Sequence, residues 1–283
     1  MTQQPKPDGE ASHRADFRLS ITRALKDQLA QALADLEPAP LSTRALEELE
    51  RRGGIYQLHH GDQFVYVGKA DKNLPQRIGK HLRKISGRKD ISIDEMRFSC
   101  LYVDEDFPAV APERLLIAKY REKGQIPWNT NGFGNNDPGR RRDDTVIKVN
   151  HFDVQHPIDL DLIIHGVKTG NTSLRQFLAN IKKRLPYNFR YATKVLGTMG
   201  DREVSVPDVE LSTGDLFSLV ANTITDQWQI AVLHGYVIMY PEGERDYPSA
   251  WRYYRGGQAV DVVPEIDQEH AEITEEADTE DES

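Results

Sequence analysis

Two short runs of β-branched and aromatic residues, Gly54-Ile55-Tyr56-Gln57-Leu58 and Gln63-Phe64-Val65-Tyr66-Val67-Gly68, are separated by the turn-forming His60-Gly61-Asp62. Alternating runs that close together, joined by a glycine turn, predict a β-hairpin. Side chains two apart in a strand share a face. Tyr56 therefore lies with Gly54 and Leu58, Tyr66 with Phe64 and Gly68, and the two phenols point to one side.

The residues that follow, to about 145, extend this hairpin into one compact unit. Leu74, Ile78, Leu82 and Ile85 stand at helical spacing, with Asn73 as the N-cap and Pro75 in the first turn. Arg77 and His81, four apart, form another stripe of that helix. Met96 to Val103 reads as a third strand, and Pro112 opens a helix that places Glu113 in its first turn. The unit thus gathers two phenols, a guanidinium, an imidazole, a carboxylate and the amide of Asn129. Phosphodiester hydrolysis needs a deprotonated water, compensation of charge on the phosphoryl oxygens and a Lewis acid at the leaving oxygen. Arg77 suits the phosphate oxygens. Glu113, with no second acid near it in sequence, suits one hydrated divalent ion, Mg²⁺ or Mn²⁺. A phenol with a reference pKa near ~10 acts as a base only with help from cations or a relay, and His81 is the relay candidate.

The order of these residues resembles the GIY-YIG nuclease superfamily. The resemblance rests on Gly54-Ile55-Tyr56, Tyr66-Val67-Gly68, Leu74-Pro75-Gln76-Arg77, Glu113 and Pro127-Trp128-Asn129, and covers 53 to about 145. His81 one turn after Arg77, Glu113-Arg114-Leu115-Leu116-Ile117 and Gly132-Phe133-Gly134-Asn135-Asn136-Asp137-Pro138-Gly139 are similar to its type II restriction-endonuclease branch. The resemblance implies Tyr56 as general base, Tyr66 and His81 on the water or phosphate, and a catalytic asparagine at Asn129, with Asn131 the alternative. Taken singly, each residue reads as an ordinary strand tyrosine, solvated helix residue or loop asparagine. Their joint order on the predicted elements gives the motif its weight.

The formal net charge of −9 looks unsuited to DNA until it is localised. Residues 265–283 hold ten Asp or Glu and no Lys or Arg, so without those ten charges the rest of the chain stands at +1. Lys69 to Lys89 has eight Lys or Arg against Asp71 alone, and Lys168 to Lys194 has seven and no acid. Lys69, Lys80, Lys84, Lys182, Lys183 and Arg184, with Arg140-Arg141-Arg142, are expected to meet DNA phosphates. The loop 131–144 has the Gly, Asn and Arg content of a groove reader or of a connector. The single Cys100 lies in an apolar run, excluding a disulfide framework or a cysteine metal site. No signal peptide or membrane span is predicted, and a cytoplasmic setting is expected.

The expected fold class is mixed α/β (α+β), a small core with a three-stranded sheet flanked by helices. Residues 1–13 are predicted disordered, 14–52 N-terminal helices, 53–145 the catalytic domain, 146–264 a C-terminal α+β extension for DNA binding or dimerisation, and 265–283 a disordered acidic tail. In the extension, 159–164, 204–211 and 229–240 read as strands and 173–185 as a basic helix. The run 251–255 reads as a stacking platform or core edge, and Asp153 and His156 as a turn before Pro157. The expected activity is a metal-dependent, site-specific double-strand DNA endonuclease. A palindromic, GC-rich site, a homodimer and a cognate DNA methyltransferase in the cell follow from the resemblance. The alternatives are a structure-selective, repair or homing nuclease, and a non-catalytic DNA-binding protein on the same scaffold.

Overall fold

The computed structural model describes residues 21–103, 112–121, 126–134 and 139–268; the side chains of 21–23, 112, 113, 115 and 121 also lie outside the description. The segments predicted as disordered, 1–13 and the tail beyond 268, fall outside it as well.

Helix α1 (Ile21–Ala34) is followed by the two-residue strand β1 (Ala39–Pro40) and a short helix α2 (Thr43–Glu47). The predicted second helix ends five residues early. Beyond it the backbone is recruited to the sheet: Glu50 N–H donates to the Tyr102 hydroxyl at 2.8 Å, and Leu74 N–H to the Arg52 carbonyl at 2.9 Å. The hairpin forms as β2 (Gly54–His60) and β3 (Gln63–Ala70), and β4 (Met96–Tyr102) pairs antiparallel with β2. β1 adds a fourth strand to the three expected, in the order β1-β4-β2-β3.

This sheet is covered on both faces. Helix α3 (Leu74–Ile85), N-capped by the Asn73 side chain, inserts Leu74, Ile78 and Ile85 against Tyr56, Leu58 and Tyr66. On the other face α1 and α4 (Pro112–Arg121) bring Ala30, Leu33 and Leu116 onto Ile55 and Val67. The period-two alternation of the hairpin thus divides two apolar layers, as strand geometry requires.

The second lobe has its own core. After β5 (Ile147–Lys148) and α5 (Phe152–Gln155) come β6 (Gly170–Ser173), α6 (Leu174–Arg184), β7 (Asn188–Tyr191), β8 (Glu203–Val206) and α7 (Thr213–Ala221). They are followed by β9 (Gln229–Leu233), β10 (Tyr236–Tyr240), β11 (Ala250–Arg255), β12 (Gln258–Asp261) and β13 (Ile266–Asp267). Five strands form one sheet in the order β12-β11-β9-β10-β7, with α6 and α7 on one face. The predicted strand 229–240 is a hairpin, turned at His234-Gly235. Residues 159–164 do not form a strand. Leu160 and Ile164 are buried in alternation, but the backbone bonds to separate partners: Asp159 N–H to Gly87 O and Ile164 N–H to Leu211 O. Residues 251–255 are β11, with Tyr253 and Tyr254 in the core, so the aromatic run is a structural strand. Within the predicted acidic tail, Ile266 and Asp267 form a parallel bridge to Ile147 and Lys148.

Candidate active site

The hairpin's glycines explain its spacing. In the β2–β3 register Tyr56 faces Gly68, and a Cβ on Gly68 would lie 2.4 Å from the Tyr56 hydroxyl. A Cβ on Gly54 would lie 2.1 Å from the Leu101 carbonyl oxygen of β4. Glycine at 68 is what lets the Tyr56 ring lie flat across the neighbouring strand, and glycine at 54 is what lets β4 close on the hairpin.

Helix α3 then delivers Arg77 and His81 to the same face. The Tyr56 hydroxyl and His81 Nε2 share a hydrogen bond of 2.7 Å. The Tyr66 ring stands 6.1 Å from Tyr56 and 5.2 Å from His81, centroid to centroid. Phe133 stacks on the far side of the imidazole at 4.8 Å and 20°. Arg77 lies against both phenols. Burial, followed by the neighbouring Tyr66, pushes the Tyr56 phenol far above its ordinary value, with Arg77 pulling it back. Burial pushes His81 down to about 3, helped by the positive charges of Arg77, Lys84 and Lys80. Both partners of the 2.7 Å bond are therefore neutral at physiological pH, and one proton is shared between them.

Glu113 takes its expected place in the first turn of α4; its carboxylate lies outside the described residues. Among the described residues no three His, Cys, Asp or Glu side chains gather to hold a metal. A donor set of one carboxylate fits a hard, hydrated divalent ion completed by water and phosphate oxygens, and would not retain a softer metal. Asn129 is engaged with the backbone at both ends of its amide. Its Oδ1 accepts from Val67 N–H at 2.9 Å and its Nδ2 donates to Val67 O at 2.8 Å. Asn131 is likewise occupied: its Oδ1 accepts from Phe133 N–H at 3.3 Å, holding the ring that stacks on His81. Each asparagine thus positions a neighbour of the phenols.

The basic residues divide into two groups. Lys80, Lys182 and Lys183 are exposed, as is Arg141; Lys69 is paired with Asp71 at 3.3 Å. Arg184 donates to Asn180 and to the His165 carbonyl. Arg140 and Arg142, expected on DNA, are held by carboxylates distant in sequence. Arg140 pairs with Glu242 and covers the Tyr240 ring at 4.3 Å; Arg142 pairs with Asp153 and covers Tyr236 at 5.0 Å. They cap the open face of the second lobe's sheet. Lys84 donates to the Phe133 carbonyl at 2.9 Å, and burial together with Arg88 and Arg142, opposed by Asp153, brings its ammonium down to about 8.

Asp153 is not simply part of a turn. It is 2 % exposed, and Arg88 reaches it at 2.9 Å while also donating to the His234 and Gly235 carbonyls of the second lobe. Burial works against its ionisation, but Arg88, Lys84 and Arg142 together hold the carboxyl well below its usual range. The sequence marks Phe133 only as part of the 132–139 run and Asp153 only as part of a turn, with no role for either. The glycines flanking Phe133 were the available signal, since a Cβ on Gly134 would meet the Tyr66 hydroxyl at 2.5 Å.

A three-stranded antiparallel core with paired tyrosines on the hairpin, arginine and histidine one turn apart on the next helix, and glutamate opening the one after defines the GIY-YIG class of nuclease domain. Residues 56–160 match the family model described as the Eco29kI GIY-YIG domain, and the chain carries a GIY-YIG domain there. The match runs fifteen residues past the boundary expected at 145 and takes in α5 and Asp153. A stretch of 84 residues is 27% identical to UvrABC system protein C of Fervidobacterium nodosum, covering 29% of this chain and 15% of that protein. Among the described residues no helix is long and apolar enough to cross a membrane.

Proposed function

We propose that this chain is a metal-dependent, site-specific DNA endonuclease that hydrolyses both strands, of the type II restriction kind. The observation that carries the reading is the 2.7 Å Tyr56–His81 bond, set beside Arg77 and Tyr66 and closed by Phe133.

In the resting protein the phenol donates to Nε2 of neutral His81. As water attacks phosphorus, its proton passes to the Tyr56 oxygen while the Tyr56 proton passes to His81, so no free phenolate forms. Burial comes first in holding His81 near 3, and Arg77, the largest of the charges that add to it, is also the group assigned to the phosphate. A phosphodiester docked on Arg77 offsets that positive charge and raises the proton affinity of His81, so that substrate prepares the relay. Arg77 stabilises the charge growing on the phosphoryl oxygens. Glu113 would hold Mg²⁺ or Mn²⁺, which when bound supplies Lewis-acid help at the leaving oxygen. Asn129 and Asn131 act as positioning residues, through Val67 and Phe133.

One domain offers one such relay, so a double-strand cut favours a homodimer on a palindromic site. Of the expected base readers in the 140–142 run, Arg140 and Arg141 are exposed and Arg140 is engaged by Glu242, which narrows the support for a GC-rich preference. A partner methyltransferase and a cytoplasmic setting belong to the same reading.

Incubation of plasmid DNA with and without Mg²⁺ tests it. Discrete, Mg²⁺-dependent fragments are expected; a smear would favour a structure-directed or non-specific nuclease, and intact plasmid a non-catalytic DNA-binding protein. Glu113→Ala and Arg77→Ala should abolish cutting, and Tyr56→Phe should slow it ~10²-fold or more, with DNA binding largely kept. Normal turnover by Tyr56→Phe would remove the phenol from the relay.

A further inference from the structure

A cleft of about 440 Å³ lies where α3 meets the β7 and β10 edge of the second lobe. Its walls carry Lys80, Arg83, Lys84, Arg88, Arg142 and Lys182, against the single carboxylate of Asp153. That carboxylate faces three cations at once, Arg88 at 2.9 Å, Lys84 at 3.8 Å and Arg142. One negative charge cannot balance three, so two positive charges are left in partly dehydrated surroundings where screening is weak. Burial lowers the Lys84 ammonium first, and Arg88 and Arg142 add to it against the pull of Asp153. On the rim, Lys80 and Lys182 are exposed, and among the described residues neither meets a carboxylate. Uncompensated cations drawn together from two lobes cost stability, and an anion seated between them removes the cost.

The shape selects the anion. The cations do not cage a small ion but continue along α3 from the active site: Arg77 is followed by Lys80, Lys84 and, just past the helix end, Arg88. Arg77 and Lys84 are seven residues apart, ~10 Å at ~1.5 Å per helical residue. Phosphates of one strand rise ~3.4 Å each along the duplex axis but stand roughly twice as far apart along the winding backbone, so the same span reaches about one to two phosphates.

We propose that this cleft binds the phosphodiester backbone of the strand being cut, about one to two nucleotides from the scissile phosphate, with α3 and α6 of the two lobes gripping it from opposite sides. The proposal rests on the endonuclease reading and adds to it the path of the strand.

The test is fluorescence anisotropy of a duplex carrying the cleavage site, with divalent ions chelated so that binding is read without cutting. Lys80→Ala/Lys182→Ala should weaken binding by about tenfold or more at physiological salt. It should also flatten the slope of log K against log salt by about 1.8, the value for two lost phosphate contacts. Lys80→Arg/Lys182→Arg should restore both quantities, because charge and not the particular side chain is required. Neutral methylphosphonates placed singly along the strand should weaken wild-type binding most near the first or second linkage from the cut, with no further effect in the double-alanine variant. Unchanged affinity and slope in a variant that melts as wild type would overturn the cleft assignment, as would failure of the arginine pair to rescue. A wild-type protein that cuts DNA while the variant binds normally would leave the endonuclease reading standing. A wild type that neither binds nor cuts would remove both.

Discussion

His81 is kept neutral by burial, Arg77, Lys84 and Lys80, and its folded value of about 3 lies far below the ~6.5 of an unfolded histidine. Between those two values the unfolded chain binds a proton that the folded one does not. Stability from this residue is therefore complete above pH ~6.5 and declines as the pH falls towards 3. At pH 4.5 the accumulated loss is about 2–3 kcal/mol, relative to pH 7.5. His81→Gln lacks the titration, so its thermal melts should lose that much less stability over the same interval. Asp153, whose carboxyl ionises at still lower pH, is untouched by the substitution and leaves the remaining acid sensitivity in place. Parallel stability curves for the two proteins would show that His81 is not held neutral. Acid should also act on the chemistry in the same direction, since a protonated Nε2 cannot accept the Tyr56 proton.

The hairpin and α3 work as a pair, one supplying phenols and the other the groups that act on them. Gly68 joins them, because the Tyr56 ring occupies the volume a side chain would need. Gly68→Ala should cost about 1–3 kcal/mol of stability through overpacking and push the phenol off His81 Nε2. Cleavage should then fall far more than the melting temperature. A fully active Gly68→Ala enzyme would mean that the phenol relocates freely and that the 2.7 Å bond is not needed. These elements were legible in the sequence because each carries its own period: two for residues 54–70 and near four for Leu74, Ile78, Leu82 and Ile85. Residues 159–164 have apolar alternation too, yet they form no ladder, since period reports burial and not hydrogen-bond partners. The end of α2 at Glu47 was hidden for a related reason, as the bond that diverts the chain comes from Tyr102, 52 residues away.

At the scale of the molecule, two cores are joined by charge. Arg88, at the end of the catalytic helix, is buried and bonds to Asp153 and to the carbonyls of His234 and Gly235. Asp153→Asn would leave Arg88, Arg142 and Lys84 without a counter-charge, and should cost about 3–5 kcal/mol. Denaturant unfolding followed separately by fluorescence and circular dichroism should then lose coincidence as the lobes uncouple; a single wild-type-like transition would show the seam to be held by other contacts. The pairing of the arginines at 140 and 142 was hidden from sequence on this same scale. A basic run advertises its charge, but Glu242 lies 102 residues from Arg140, and no local pattern marks the pairing. The two phenols, Arg77 and His81 were readable together because they fall within residues 54–81, whereas the seam is assembled from four distant segments.

The way Arg83 donates to the Leu185 carbonyl and Arg88 to Gly235 has a practical corollary for enzyme engineering. Residues 56–160 are not a detachable cutting head: grafted onto a foreign targeting protein, they would strip Arg83 of the Lys183 and Leu185 carbonyls and leave Arg88 with Asp153 but without the His234 and Gly235 carbonyls. A working chimera has to carry its second half with it.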